Sequence, residues 1–142
     1  MVDAYKAGNM VAVMDVPHEQ TGSYGIVTPG ADDGRIVQVE GLVEKPDPSS
    51  APSNIAVVGR YIITPEVFET LAAQERGAGG EIQLTDALAK QIGKAPFSGV
   101  RFSGERFDCG SKLGFLQANV AFGLNNDAMS DQLRDWLGER LG

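Results

Sequence analysis

The stretch Asn54 to Ile63 (NIAVVGRYII) runs straight into Thr64-Pro65-Glu66, and this junction limits what the chain can become. The first part is rich in β-branched residues and reads as a strand interrupted by Gly59. The second supplies an N-cap hydroxyl, a proline at the first helical position and an early acid. A helix is therefore expected from Pro65 to about Glu75, with Val67, Phe68 and Leu71 on its apolar face. A chain that passes so abruptly from strand to helix must pack helices against a sheet.

The same punctuation recurs along the sequence. Met10 to Val16 (MVAVMDV), bounded by Gly8-Asn9 and Pro17, reads as a buried strand, and Asp3 to Ala7 before it as the last turn of a helix. Tyr24 to Thr28 and Arg35 to Val43 are two strands around a turn at Pro29 to Gly34, a hairpin signature. A polar loop follows from Asp47 to Ser53. Beyond a glycine-rich break at Gly77 to Gly80, Ile82, Leu84, Leu88 and Ile92 space a second helix that stops at Gly93. Phe97 to Phe102 reads as a strand. Leu113, Leu116, Val120 and Leu124 space a third helix, and Asp127 to Leu141 a fourth with Met129, Leu133, Trp136 and Leu137 on one stripe. The sum is an α/β chain with a mixed sheet, read as a single unit over 1-142 with a C-terminal helix over 126-142 available for oligomerisation.

With 142 residues, 42% of them hydrophobic, the chain is long enough for a real core. Its net charge of −7 and the absence of any Lys/Arg run argue against a nucleic-acid surface. One cysteine, Cys109, excludes an internal disulfide and fits a reducing, cytoplasmic compartment. No apolar run approaches the ~20 residues of a membrane span, and the N-terminus lacks the pattern of a secretory leader. Neither G-x-G-x-x-G nor G-x-x-x-x-G-K-[ST] occurs, so no nucleotide-phosphate loop is seen.

Leu42-Val43-Glu44-Lys45-Pro46 carries the chemistry. In an extended segment Glu44 and Lys45 face opposite ways, and Pro46 biases Lys45 toward extended geometry. Two readings are open, a solvated strand end or a pair addressing a sugar hydroxyl and a phosphate. Gly25 reads as a strand glycine that allows close packing. Val57 and Gly59 read as core and bulge, and Asp108, before Cys109-Gly110, as a turn or helix-cap residue. Cys109 reads as a small packed thiol, and the lone His18 has no catalytic partner nearby.

Taken together, Tyr24-Gly25-Ile26-Val27, Val43-Glu44-Lys45-Pro46, Ala51 to Tyr61 (APSNIAVVGRY), Gly80 to Asp86 (GEIQLTD) and Phe107 to Gly114 (FDCGSKLG) resemble the C-terminal half of bacterial UTP–glucose-1-phosphate uridylyltransferases. The blocks occur in that family's order over roughly residues 9 to 124. The resemblance implies a Rossmann-like, mixed-sheet nucleotidyltransferase fold and the conversion of UTP and glucose 1-phosphate to UDP-glucose and pyrophosphate. It implies that Gly25 lies against the hexose, Glu44 accepts from its hydroxyls and Lys45 meets its phosphate. It further implies that Val57 and Gly59 line the sugar pocket through the main chain, and that Asp108 is one of two aspartates holding Mg²⁺. Glu81, Thr85 and Asp86 are read as support around the site, and Lys112 as solvated or near a phosphate.

The family's nucleotide-gripping loop and its other metal-binding aspartate have no counterpart in these residues. The chain is thus expected to be inactive without the missing N-terminal half, to have strands left unpaired where that half would sit, and to form homo-oligomers as relatives do. A non-catalytic sugar-phosphate-binding module and a structural assembly unit are the alternatives.

Overall fold

The β-branched runs form five strands, β1 (Asn9–Asp15), β2 (Gly25–Asp32), β3 (Ile36–Glu44), β4 (Ile55–Ile62) and β5 (Phe97–Arg101). Four helices accompany them, α1 (Pro65–Ala72), α2 (Leu84–Ala89), α3 (Lys112–Leu124) and α4 (Ser130–Leu141), with 3-10 turns at Val2–Ala4, His18–Ser23 and Pro48–Ser50. The computed structural model describes residues 1–73 and 82–142. These fall into two compact units, Met1–Phe102 and Ser103–Gly142, where the sequence reading treats the chain as one. No helix among the described residues is long and apolar enough to cross a membrane.

In the first unit the strands close into a ring in the order β1-β4-β2-β3-β5. β1 and β5 run parallel and every other pair is antiparallel, so the sheet is mixed. Among the described residues each strand has a neighbour on both sides, so no strand is left wholly unpaired, but β2 and β4 meet through the single pair Ile26 and Ala56. One buried core cluster gathers Val11, Val13, Val27, Val37, Val57 and Phe97 of the strands with Val67 of α1 and Leu88 of α2. Asn9, fully buried, ties sheet to helix by accepting from the Thr64 N–H at 2.9 Å.

Several local expectations need correction. Asp3 to Ala7 is no helix end, because only Val2–Ala4 turns, as a 3-10 helix, and Tyr5 is already extended. Pro29 and Gly30 lie within β2 rather than in a turn. The β2–β3 register shifts on both sides of Pro29, so a residue without an N–H sits where the ladder is irregular. The reversal comes later, where Asp33 Oδ1 accepts from the N–H groups of Arg35 and Ile36 and Gly34 takes φ +90°. Thr64 starts α1 without a side-chain bond to the helix backbone. Of the α1 face, Val67 is buried and Leu71 packs on the core, but Phe68 is exposed. α1 closes at Ala72, and α2 covers only Leu84–Ala89 of the longer span expected. Residues 74 to 81, which include the glycine-rich break and Glu81, lie outside the described residues.

In the second unit the helices appear where the spacing puts them. Gly123 of α3 admits the Leu133 side chain of α4, since a Cβ there would stand 2.6 Å from Leu133 Cδ2. Trp136 is half-exposed beneath the Arg140 guanidinium, 4.7 Å from the ring centre.

Candidate functional site

The hairpin brings the first residue of β2 opposite the last of β3, so Gly25 and Glu44 are register partners. A Cβ on Gly25 would stand 3.2 Å from Glu44 Oε2 and 3.4 Å from Thr85 Oγ1. Thr85, buried on α2, donates its hydroxyl to Glu44 Oε2 at 2.6 Å. The Glu44 side chain keeps 25% of its surface exposed, so it is held from one side and open on another.

Lys45 departs from expectation. Its φ is +46°, the only positive value among the described non-glycine residues, so the chain turns left-handed before Pro46 instead of staying extended. The Lys45 N–H still donates to the Tyr24 carbonyl at 2.9 Å, which prolongs the hairpin by one bond while the backbone swings away. The charged ends of Glu44 and Lys45 therefore approach to 4.0 Å, where an extended backbone would send them to opposite faces. The Lys45 side chain is 63% exposed.

On β4, Val13 pairs with Val57 and Val11 with Tyr61, so β4 uses four residues where β1 uses two. Gly59 takes up this bulge at φ +72°, exposed, with open space where a Cβ would be. Val57 points its side chain into the core, leaving only its main chain for other contacts. Burial, and secondarily the Glu44 charge, push the Tyr61 hydroxyl above its usual pKa, which places that phenol within the field of the carboxylate. The sequence reading assigned Tyr61 no role and Thr85 only a supporting one. The available signal was their membership of the blocks that contain Gly59 and Asp86.

In the second unit, Asp108 is exposed in the turn that starts α3. Its Oδ1 accepts from the Gly110 N–H at 3.1 Å, and its carbonyl accepts from the Ser111 N–H and hydroxyl. Ser111 caps α3 by accepting from the Gly114 N–H at 3.0 Å. Cys109 is exposed rather than packed, because the flanking turn is pinned through Asp108 and leaves the thiol outside. No cluster of three or more His, Cys, Asp or Glu forms among the described residues. As a hard oxygen donor, the Asp108 carboxylate suits Mg²⁺ as one ligand among phosphate and water oxygens. The structure thus gathers Gly25, Glu44 and Lys45 with Thr85 at one end of the hairpin, and sets Asp108 at the head of a helix in its own unit.

A family model described as nucleotidyl transferase matches residues 1–123. The chain belongs to that family. Within the nucleotidyl transferases it is 59% identical over 115 residues to a UTP–glucose-1-phosphate uridylyltransferase of Komagataeibacter xylinus, covering 80% of this chain and 40% of that one. A protein of the same name from Staphylococcus haemolyticus is 42% identical over 131 residues, 92% of this chain and 46% of its own. Among solved structures, a UDP-glucose pyrophosphorylase complexed with UDP-glucose superposes with a TM-score of 0.77 at 37% identity, over 84% of this chain and 45% of that chain. A UTP-bound enzyme from Acinetobacter baumannii gives 0.79 at 34% identity, over 93% and 45%. This nucleotidyl transferase chain therefore spans less than half the length of the relatives it matches, and the expected α/β nucleotidyltransferase fold is the one it shares with them.

Proposed function

We propose that the chain supplies the glucose 1-phosphate side of a UTP–glucose-1-phosphate uridylyltransferase. The observation that carries this reading is the Glu44–Lys45 pair, a carboxylate and an ammonium 4.0 Å apart, with Gly25 leaving room for the carboxylate that a Cβ would crowd at 3.2 Å. Glu44 accepts from hexose hydroxyls, Lys45 draws the sugar phosphate, and Gly25 together with the main chain at Val57 and Gly59 forms the walls. Two proteins similar to this chain carry the corresponding name.

The reaction is in-line attack of a glucose 1-phosphate oxygen on the α-phosphorus of UTP. The new O–P bond forms as the bond to the bridging oxygen breaks, and pyrophosphate departs with that electron pair. The nucleophile is already anionic at neutral pH, so no general base is required. Positioning and charge neutralisation carry the rate. Mg²⁺, when bound, offsets the charge shared by the nucleotide and sugar phosphates. Asp108 would hold it, with the second aspartate and the nucleotide loop coming from the N-terminal half of the enzyme. The reading extends to a cytoplasmic homo-oligomer, in keeping with a free thiol at Cys109 and the half-exposed Met129 and Trp136.

The test is pyrophosphate release from UTP and glucose 1-phosphate by this chain joined to a nucleotide-binding half, with and without Mg²⁺. Magnesium-dependent turnover that disappears on replacing Glu44 and Lys45 is expected. Turnover indifferent to both replacements overturns the reading.

A further inference from the structure

We propose that Thr85 is a positioning residue for hexose selection, holding Glu44 so that one carboxylate oxygen, Oε1, is presented to the sugar. The proposal rests on the sugar-binding role of Glu44 given above. A free carboxylate turns readily about its last torsion and offers two equivalent oxygens, so by itself it accepts from hydroxyls in several directions. Here Oε2 is engaged by the Thr85 hydroxyl at 2.6 Å, whereas Oε1 lies toward Lys45, 4.0 Å from its ammonium.

The donor is itself immobilised. Thr85 is buried, and Ala87 and Leu88 of the same helix are fully buried in the core. Gly25 makes room for this arrangement on the other side, because a Cβ there would stand only 3.2 Å from Glu44 Oε2. Glu44 thus has one oxygen committed within the protein and one left for a ligand. An acceptor fixed in one direction favours a hydroxyl in one configuration, so it discriminates between hexose 1-phosphates that differ by inversion at a single carbon.

The experiment uses the complete enzyme and measures KM for glucose 1-phosphate, galactose 1-phosphate and UTP. Thr85→Val should raise KM for glucose 1-phosphate by roughly tenfold, the worth of one hydrogen bond to a charged group. The preference for glucose over galactose in kcat/KM should fall by a similar factor, and KM for UTP should hold within about twofold. Thr85→Ser, which keeps the donor, should restore both. If the valine variant fails to fold, Thr85→Cys, similar in size with a weaker donor, carries the same expectation.

Unchanged KM and unchanged sugar preference, an equal loss for UTP, or a serine variant as impaired as the valine one would overturn the proposal. Glu44→Gln in the same assays separates the two levels. A loss in Glu44→Gln without one in Thr85→Val removes the positioning role alone, while no loss in Glu44→Gln removes the sugar-binding reading beneath it.

Discussion

Lys45 Nζ stands 4.0 Å from Glu44 Oε1 because Lys45 takes a φ of +46° at the end of its strand. Such a backbone costs a non-glycine residue roughly 1–2 kcal/mol, and the following proline restricts it further. Retaining lysine at that position places a cation beside the carboxylate at the expense of local stability.

Lys45 replacements should therefore separate charge from strain. Lys45→Ala and Lys45→Gly should each raise KM for glucose 1-phosphate about tenfold or more, through loss of a charge-assisted contact. The glycine variant should be the more stable by about 1 kcal/mol, because it alone adopts the left-handed backbone without strain. Steady-state kinetics and urea unfolding check the two effects.

Asp108→Ala should chiefly lower kcat and raise the Mg²⁺ concentration needed for half-maximal turnover. Gly114→Ala should act in the same direction from a distance, since its Cβ would be driven into the Asp108 carbonyl and the turn would have to move. A Mg²⁺ titration of activity, alongside the melting temperature of each variant, is the measurement.

Two other glycines should give opposite signs. A Cβ on Gly99 would meet Val37 Cγ1 at 2.8 Å and Val13 Cγ1 at 3.1 Å in the buried core. Gly99→Ala should cost about 1–3 kcal/mol by overpacking. Gly138, in α4, has nothing within 4 Å of the same construction. Gly138→Ala should stabilise by up to ~1 kcal/mol through helix propensity, as chemical denaturation would show.

Acid should find a weak point at Arg101, which donates from Nη1 and Nη2 to both oxygens of Asp32 and from Nε to Asp15 at 2.9 Å. The Arg101 bonds, and then the Gly34 N–H, hold the Asp32 carboxyl below its usual pKa. The folded state thus binds that proton less readily than the unfolded chain. Its stabilisation is fully present above the ordinary aspartate value of about 3.9 and drains as pH falls through the lowered folded value. In Arg101→Gln the acid-side slope of stability against pH should flatten, measured by urea unfolding between neutral and strongly acidic pH.

Where local chemistry decides conformation, the residues were readable. The alternation of strand and helix, the β2–β3 hairpin, the Gly59 bulge and the start of α3 all follow from β-branched runs, turn formers and caps. Pro29 was misleading because a register shift accommodates it within β2, and such shifts depend on the partner strand. Phe68 is exposed for a related reason, since periodicity marks one face of an element without saying how far its neighbour extends, whereas Cys109 is exposed because it sits in a turn that no periodicity describes. At the site, Glu44 and Lys45 stood out by residue type and position before Pro46, and Gly25 only through the family resemblance. The left-handed turn at Lys45 did not, since the following proline argues for the opposite. Nor did the Thr85–Glu44 bond, which joins residues 41 apart in the chain.

The ring formed by β1, β4, β2, β3 and β5 bears on how such an enzyme can be assembled from pieces. A sheet closed through the single pair Ile26 and Ala56 confines the edge it offers to foreign polypeptides to the seam between β2 and β4. On the proposed reading, the β2–β3 hairpin beside that seam is the piece that carries the sugar phosphate, whichever polypeptide brings the nucleotide.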